Sequence, residues 1–152
     1  MKTSLYVLCV ILLCGLISPA QAQQAERTLI AVDKAFDRMA QDIGIKPAFM
    51  HYACDSLIKM NHKAKTITGK PALEAWLNTL DPQLPLRWKP VKAEISKSGD
   101  LGYTYGWWRL PSSDTTYYGN YVTIWKKLDD GQWKFVLDAG TSTPKPEGII
   151  FE

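Results

Sequence analysis

One continuous stretch, residues 101–140, constrains the fold of this chain more than any other part. It reads LGYTYGWWRLPSSDTTYYGNYVTIWKKLDDGQWKFVLDAG. β-Branched and aromatic residues crowd three segments, as is typical of β-strands. The segments are 101–110, 115–127 and 132–139. The turns between them contain Pro, Asp and Gly, which fix φ, bond the local backbone or adopt positive φ. The stretch therefore predicts an antiparallel meander that the rest of the chain must cover.

Helical patterns come earlier in the chain. The apolar positions of 23–43 recur at spacings of three and four, which predicts an amphipathic helix. These positions are Leu29, Val32, Phe36, Met39 and Ile43. Two shorter helices are expected at 47–52 and 71–80, because each segment has Pro near its first turn.

Further strands are expected between the helices and the meander. Short strands are predicted at 56–60 and 65–68, and a longer one at 86–98, where the alternation of apolar residues breaks near Pro90. The break predicts a β-bulge or an edge position. Helices followed by a long sheet indicate an α+β fold. We expect a curved antiparallel sheet wrapped around the N-terminal helices, as a cone-shaped roll with a pocket.

The N-terminus has the features of a secretory signal peptide. Lys2 precedes an apolar run at 5–17, and Ala20-Gln21-Ala22 matches a cleavage signal. The run is shorter than the ~20 residues of a membrane span. We therefore expect a signal peptide at 1–22, a domain at 23–143, a C-terminal tail at 144–152, a secreted or periplasmic location, and no membrane association after cleavage.

Cysteine content and charge exclude several classes of protein. Cleavage would remove two of the three cysteines, which leaves Cys54 and no internal disulfide. Cys54 fits a small buried apolar residue better than a nucleophile. The net charge is +3 with both signs interspersed, and the locally basic segment 59–65 fits a solvated loop. The sequence therefore predicts no nucleic-acid partner.

Three segments carry a resemblance to a known family. They are 33–55 (DKAF…G…AF…YACD), 69–73 (GKPAL) and 119–138 (GNYVTIWKK…DGQWKFVLD). In this order and spacing the chain resembles the nuclear transport factor 2-like superfamily, in particular its SnoaL-like branch. The resemblance implies a cone with a pocket at its wide end and a homodimer that packs through the sheet. Members include isomerases, dehydratases, hydrolases and pure binding proteins, so the fold does not settle the function.

Two sets of strand residues are candidates for the pocket lining, because side chains alternate between faces and the register is not readable from sequence. One face of 101–110 carries Tyr103, Tyr105, Trp107 and Arg109, and the other carries Gly102, Thr104, Gly106 and Trp108. The candidate ligand-binding residues are Tyr103, Tyr105, Trp107, Asn120, Tyr121 and, from the first helix, Asp33. Their aromatic character favours a small apolar or aromatic ligand.

Three residues are candidates for catalysis. Asp138 lies in the apolar run FVLDA and therefore needs a partner or a raised pKa. The resemblance implies that Asp138 lies near the pocket, and the family pattern also has an acid at the position of Asp55. His51 is expected at the mouth of the pocket. Structural roles remain open for all three. The two histidines lack a carboxylate at ligand spacing, so no metal is expected, and no motif indicates a cofactor.

The function predicted from sequence is an exported, non-catalytic protein that binds a small molecule in its pocket. The alternative is an isomerase-like or hydrolase-like enzyme. In that alternative, Asp138 or Asp55 is the general base, and a Tyr or His51 donates a hydrogen bond to a developing oxyanion. Sequence leaves open whether the protein is an enzyme.

Overall fold

The computed structural model of the protein describes residues 19–61 and 64–146. Residues 1–18 of the predicted signal peptide and 147–152 of the predicted tail lie outside them. The described residues form three helices and six strands. The helices are α1 (Pro19–Ile43), α2 (Ile45–Tyr52) and α3 (Lys70–Leu77). The strands are β1 (Ala53–Met60), β2 (Ile67–Thr68), β3 (Arg87–Ile95), β4 (Leu101–Pro111), β5 (Thr116–Lys127) and β6 (Trp133–Thr143).

The six described strands form one open sheet in the order β2-β1-β6-β5-β4-β3. The predicted α+β fold is confirmed, and the sheet curves around the helices as a cone. One pairing differs from the expected antiparallel sheet, because β1 runs parallel to its neighbour β6. A parallel pair needs a long crossover rather than a hairpin. The remainder of the domain, including the meander, supplies that crossover here, so the sheet is mixed.

The irregularity predicted near Pro90 is confirmed. The register between β3 and β4 shifts between Pro90 and Lys92, and β3 is an edge strand of the sheet. Proline cannot donate to the ladder, so an edge or a bulge is where a strand can hold it. A second irregularity interrupts the pairing of β5 with β6. Trp125 pairs with Phe135 but Ile124 pairs with Leu137, so Val136 is the extra residue.

Small residues on the inner face of β4 and β5 bring the sheet close to its neighbours. A Cβ added at Gly102 would lie 2.8 Å from Leu29 of α1, so this glycine allows the helix to approach the sheet. A Cβ added at Gly119 would lie 2.4 Å from the indole of Trp108 on the adjacent strand. Gly119 therefore leaves the space that the Trp108 indole occupies on the inner face.

The core is an aromatic cluster centred on Phe36 of α1. Its ring centroid lies 4.7 Å from that of Trp88, 4.8 Å from that of Phe49 and 4.8 Å from that of Tyr52. Pairs of this geometry stabilise by about 0.5–1.5 kcal/mol each beyond the burial of their area. The cluster joins α1, α2 and β3, and it forms one wall of the space enclosed by the sheet.

Candidate functional site

A cavity of about 380 Å³ lies between the inner face of the sheet, the helices and the segment that follows α3. Its walls are largely aromatic and aliphatic. The wall residues include Phe36, Ile45, Phe49, Trp76, Leu80, Leu84, Leu86, Trp88, Trp108, Leu110 and Tyr121. Polar side chains are concentrated at one place, where β1, β5 and β6 meet. We call that place the floor and define it by Lys59, Thr123 and Asp138.

The floor is a buried ion pair held by a hydroxyl group. The Lys59 ammonium donates a hydrogen bond to Oδ2 of Asp138, and the two side chains are only 10% and 12% exposed. The Thr123 hydroxyl donates to Oδ1 of the same carboxylate at 2.8 Å. Both oxygens of Asp138 therefore accept a hydrogen bond from the protein. Buried charges require such partners, because an isolated ion in an apolar site is strongly destabilised.

The irregularity at Val136 decides which face Asp138 occupies. Phe135 is fully buried in the core, and strict alternation would place Asp138 on the opposite face, three residues later. The extra residue shifts the alternation of faces by one position. Leu137 therefore pairs with Ile124, and Asp138 pairs with Thr123, whose side chain faces inward. Bulges reorient side chains in this way. Without this one, the carboxylate would face outward and Lys59 would lose its partner.

Lys59 occupies a core position of β1. Leu57 is fully buried two residues earlier, and the same alternation carries Lys59 inward, where it is 8% exposed. Its Nζ lies 5.2 Å from the centroid of the Phe49 ring and 5.5 Å from that of the Trp76 ring. Aromatic faces attract an ammonium group, and more so where water is excluded. The two rings thus complement the charge of Lys59 from the helical side of the cavity.

A second polar network lies behind the cavity wall. Asp33 of α1 is fully buried and accepts hydrogen bonds from the Trp88 indole at 2.9 Å and the Tyr121 hydroxyl at 2.8 Å. The Thr104 hydroxyl also bonds this carboxylate. Burial raises the pKa of Asp33 to about 6, against the opposing effect of these donors. Because both rings line the cavity, Asp33 positions part of its wall.

Asp37, one turn further along α1, fixes the start of β3. Its carboxylate accepts hydrogen bonds from the Trp88 backbone N–H at 2.9 Å and from the Arg87 guanidinium at 3.0 Å. Two carboxylates four residues apart on one helix therefore hold the Trp88 backbone and the Trp88 ring. The shape of the cavity near Trp88 depends on both of them.

Solved structures share this arrangement of helices and sheet. A protein of unknown function from Pseudomonas putida KT2440, described as NTF2-like, superposes with a TM-score of 0.63 at 15% identity, over 83% of this chain and 92% of its own. The fold is that of the nuclear transport factor 2-like superfamily. No protein-family model and no curated protein matches the chain. The predicted SnoaL-like branch stays a prediction.

Other solved structures with a fold similar to that of this chain are described as enzymes. A Δ5-3-ketosteroid isomerase from Mycobacterium sp. matches with a TM-score of 0.56 at 16% identity, over 74% of this chain and 90% of its own. An LEH-like epoxide hydrolase from M. tuberculosis matches with a TM-score of 0.55 at 16% identity, over 79% of each chain. Identities this low establish the fold alone, and the same fold serves unrelated functions.

The nuclear transport factor 2-like fold brings together only some of the residues predicted for the site. Asp138 and Tyr121 line the cavity, and Asp33 lies directly behind its wall. The register of β4 and β5 shows that four predicted ligand-binding residues lie on the outer face of the sheet. They are Tyr103, Tyr105, Trp107 and Asn120. Outer-face side chains do not line this cavity, because strand residues point alternately to opposite faces.

Two predicted catalytic residues lie away from the cavity. The Asp55 side chain is 94% exposed, and its carboxylate lies 3.6 Å from the Lys70 ammonium. His51 is exposed on α2 and borders a different cleft, with Lys134. The pKa of His51 is lowered by partial desolvation and then by the nearby charges of Lys134 and Lys70. Neither side chain can meet a ligand held at the floor.

Lys59, Trp76 and Trp88 of the site were missed from sequence. Thr123 and Trp108, which also line the cavity, belong to the sets of strand residues that were candidates for the lining but were not chosen as ligand-binding residues. The signal for Lys59 was its spacing of two from Leu57, which puts both on one face of a strand. Among the described residues, no group of His, Cys, Asp and Glu is arranged to hold a metal ion. Within the same residues, no helix has the length and apolar character needed to span a membrane.

Proposed function

We propose that the protein is an exported binding protein that holds a small, largely apolar molecule in the cavity above Lys59 and Asp138. The observation that carries the proposal is the cavity itself, a space of about 380 Å³ with aromatic walls and one polar floor. Ligand sites are typically concave, mostly apolar and provided with a few convergent polar groups. Export rests on the signal-peptide features of residues 1–22.

Catalysis is the second candidate function. Asp138 faces the cavity, and two proteins of the same fold are a ketosteroid isomerase and an epoxide hydrolase. A general base takes up the substrate proton, which here would neutralise Asp138 and leave the buried Lys59 ammonium without its counter-charge. Both oxygens of Asp138 already accept hydrogen bonds, from Lys59 and Thr123. We favour binding, because a carboxylate held from both sides is better suited to positioning a ligand than to removing a proton.

We expect the substitution Gly140→Leu to weaken binding in the cavity. Gly140 lines the cavity on β6, and a Cβ added there would lie in ordinary contact, 3.4 Å from its nearest neighbours, so the larger side chain can be accommodated and would occupy part of the cavity. Nile red, a neutral dye whose fluorescence rises in apolar surroundings, serves as the probe in a titration. The dissociation constant should increase by at least about tenfold, which corresponds to about 1.4 kcal/mol.

Thr141→Leu is the matched control for this substitution. It adds similar bulk at the next position of β6, where the residue pairs with outward-facing Asn120 and does not line the cavity. Its affinity for Nile red should equal that of the unaltered protein. Equal loss of affinity in both variants, or in neither, would contradict the proposed site. Circular dichroism spectra of both variants confirm that the comparison is between folded proteins.

We also propose that the outer face of the sheet binds a second copy of the chain. Apolar and aromatic side chains cover this face, and they are only half-buried although the helices pack on the other side. They include Tyr103, Tyr105, Trp107, Val122 and Ile124. Lys92 and Glu94, at the rim on β3, carry opposite charges and lie 2.6 Å apart. A two-fold axis can pair Lys92 of one copy with Glu94 of the second copy, and Glu94 of the first with Lys92 of the second.

Sedimentation velocity at tens of micromolar tests the homodimer. We expect the unaltered protein to sediment as a dimer and Val122→Asp to sediment as a monomer, because a carboxylate cannot be buried there without a partner. Val91→Asp, at an exposed bulge position on β3, is the control and should remain dimeric. A monomeric unaltered protein contradicts the proposal.

A further inference from the structure

We infer that the floor of the cavity selects an uncharged polar group that both donates and accepts a hydrogen bond, so that the ligand is a neutral amphiphile rather than an organic acid or an amine. An apolar ring system that ends in a primary amide, an alcohol or a phenol has this chemistry. The inference rests on the proposed function and specifies the class of ligand for that site.

The charges at the floor argue against an ionic ligand. Lys59 and Asp138 compensate one another in a direct ion pair, so neither presents an uncompensated charge to the cavity. A further charge that acts on the floor is that of Asp33, a fully buried carboxylate that interacts with the charge of Asp138. An anion would therefore meet two carboxylates for one ammonium. A cation would lose its hydration in an apolar cavity beside the Lys59 ammonium. It could not pair with Asp33, because that carboxylate is fully buried behind Trp88 and Tyr121.

The hydrogen-bonding capacity of the floor favours a group with both functions. A carboxylate offers about four lone-pair positions, and the protein occupies one on each oxygen of Asp138. An ammonium has three N–H donors, and one of those of Lys59 is bonded to Asp138. Adjacent donor and acceptor positions therefore face the same space. A hydroxyl or primary amide can satisfy both at once, whereas an ester or ketone can satisfy only the donor.

Asn61 adds a further donor at the rim of the floor. It follows β1 directly and lines the cavity, and its side-chain nitrogen is buried. Among the residues that the structure describes, that nitrogen has no hydrogen-bond partner. Buried amide groups normally have one, and a buried donor without a partner is destabilising. A ligand oxygen bound near Lys59 is of the right kind to accept from it.

A series of probes with one ring system tests the inference. The probes are 2-naphthamide, methyl 2-naphthoate, 2-naphthoate, 2-naphthylmethylamine and 2-ethylnaphthalene. Each competes with Nile red at pH 7, where the acid is an anion and the amine a cation. We expect 2-naphthamide to bind at least about tenfold more tightly than the acid and the amine, and several-fold more tightly than the ester. Tighter binding of the acid or the amine overturns the inference.

The double variant K59M/D138L supplies the matched control, because it replaces the ion pair with apolar groups of similar size. In this variant the preference for 2-naphthamide over 2-ethylnaphthalene should disappear, and an unchanged preference contradicts the role of the floor. If the double variant does not fold, the order of affinities in the unaltered protein decides. If 2-ethylnaphthalene displaces Nile red as well as 2-naphthamide does, the inference about the polar group is overturned but the proposed function is not. Failure of every probe to bind overturns the proposed function as well.

Discussion

Replacement of Lys59 by Met is expected to lower the free energy of unfolding by about 3–5 kcal/mol, the usual cost of leaving a buried charge without its partner. The side chain of Asp138 is 12% exposed and would keep only the Thr123 hydroxyl as a donor. Asp138→Leu should cost a similar amount, because it leaves the Lys59 ammonium in an apolar site. Urea denaturation at pH 7 measures both changes.

The double variant K59M/D138L distinguishes an ion-pair effect from simple loss of packing. Replacing a buried ion pair with apolar side chains is often neutral or stabilising. The double variant should therefore be more stable than either single variant, with a coupling energy of about 2 kcal/mol or more, within the range found for residues in contact. Additive losses would show that the two side chains do not stabilise each other. Lys46→Met removes one partner of an exposed pair with Glu74 and should have little measurable effect, since solvent screens surface charges.

The second large effect is a dependence of stability on pH that originates at Asp33. Its pKa is raised from 3.8 to about 6 in the folded protein, so the folded state retains a proton that the unfolded state has released. The contribution of Asp33 to the free energy of unfolding is fully present below pH 3.8 and is lost as the pH rises towards and through 6. The shift of about two pKa units corresponds to about 3 kcal/mol. Stability should therefore fall by about that amount across this interval.

Comparison with Asp33→Asn isolates this contribution, because asparagine does not titrate. We expect the unaltered protein to exceed the variant in stability by about 3 kcal/mol more at pH 3.5 than at pH 7.5. Urea denaturation at both pH values gives the difference. Asp42→Asn, at an exposed position of the same helix, controls for the loss of one negative charge. A difference between protein and variant that stays constant with pH would contradict proton uptake by Asp33.

The elements of this fold follow from local sequence patterns. The meander is marked by β-branched and aromatic runs with turn residues between them, and α1 by its apolar spacing. The position of Pro90 at an edge and a bulge follows from its missing N–H. The parallel pairing of β1 with β6 does not follow from such patterns. It joins segments that are far apart in sequence, and no turn between them sets the register.

The face of the sheet that encloses the cavity has a signal in retrospect. The outer face of β4 carries the large rings of Tyr103, Tyr105 and Trp107, which suggested a ligand site. The inner face carries Gly102 and other small residues, because α1 and neighbouring rings already fill that side. Small side chains thus mark the crowded face, and aromatic density alone is a poor guide to a pocket.

The floor of the cavity depends on two structural features that the alternation of strand residues alone does not predict. The bulge at Val136 turns Asp138 inward, and the parallel pairing of β1 with β6 places Lys59 opposite Asp138. From sequence, Asp138 could be recognised as an acid that needs a partner, but the partner could not be named. Asp33 could be placed next to the apolar stripe of α1, while its contact with Tyr121 required the register of β5.

The parallel pairing of β1 with β6 also bears on when the binding site comes into existence. The two halves of the ion pair are 79 positions apart in the chain, and the later half belongs to β6, the last of the described strands. Contacts between such distant segments form late, since the intervening chain must first be brought together. A chain still under synthesis lacks β6 and therefore cannot close its sheet around the helices. For a protein that we propose to be exported, the cavity therefore depends on β6 and cannot be assembled on the ribosome before that strand emerges.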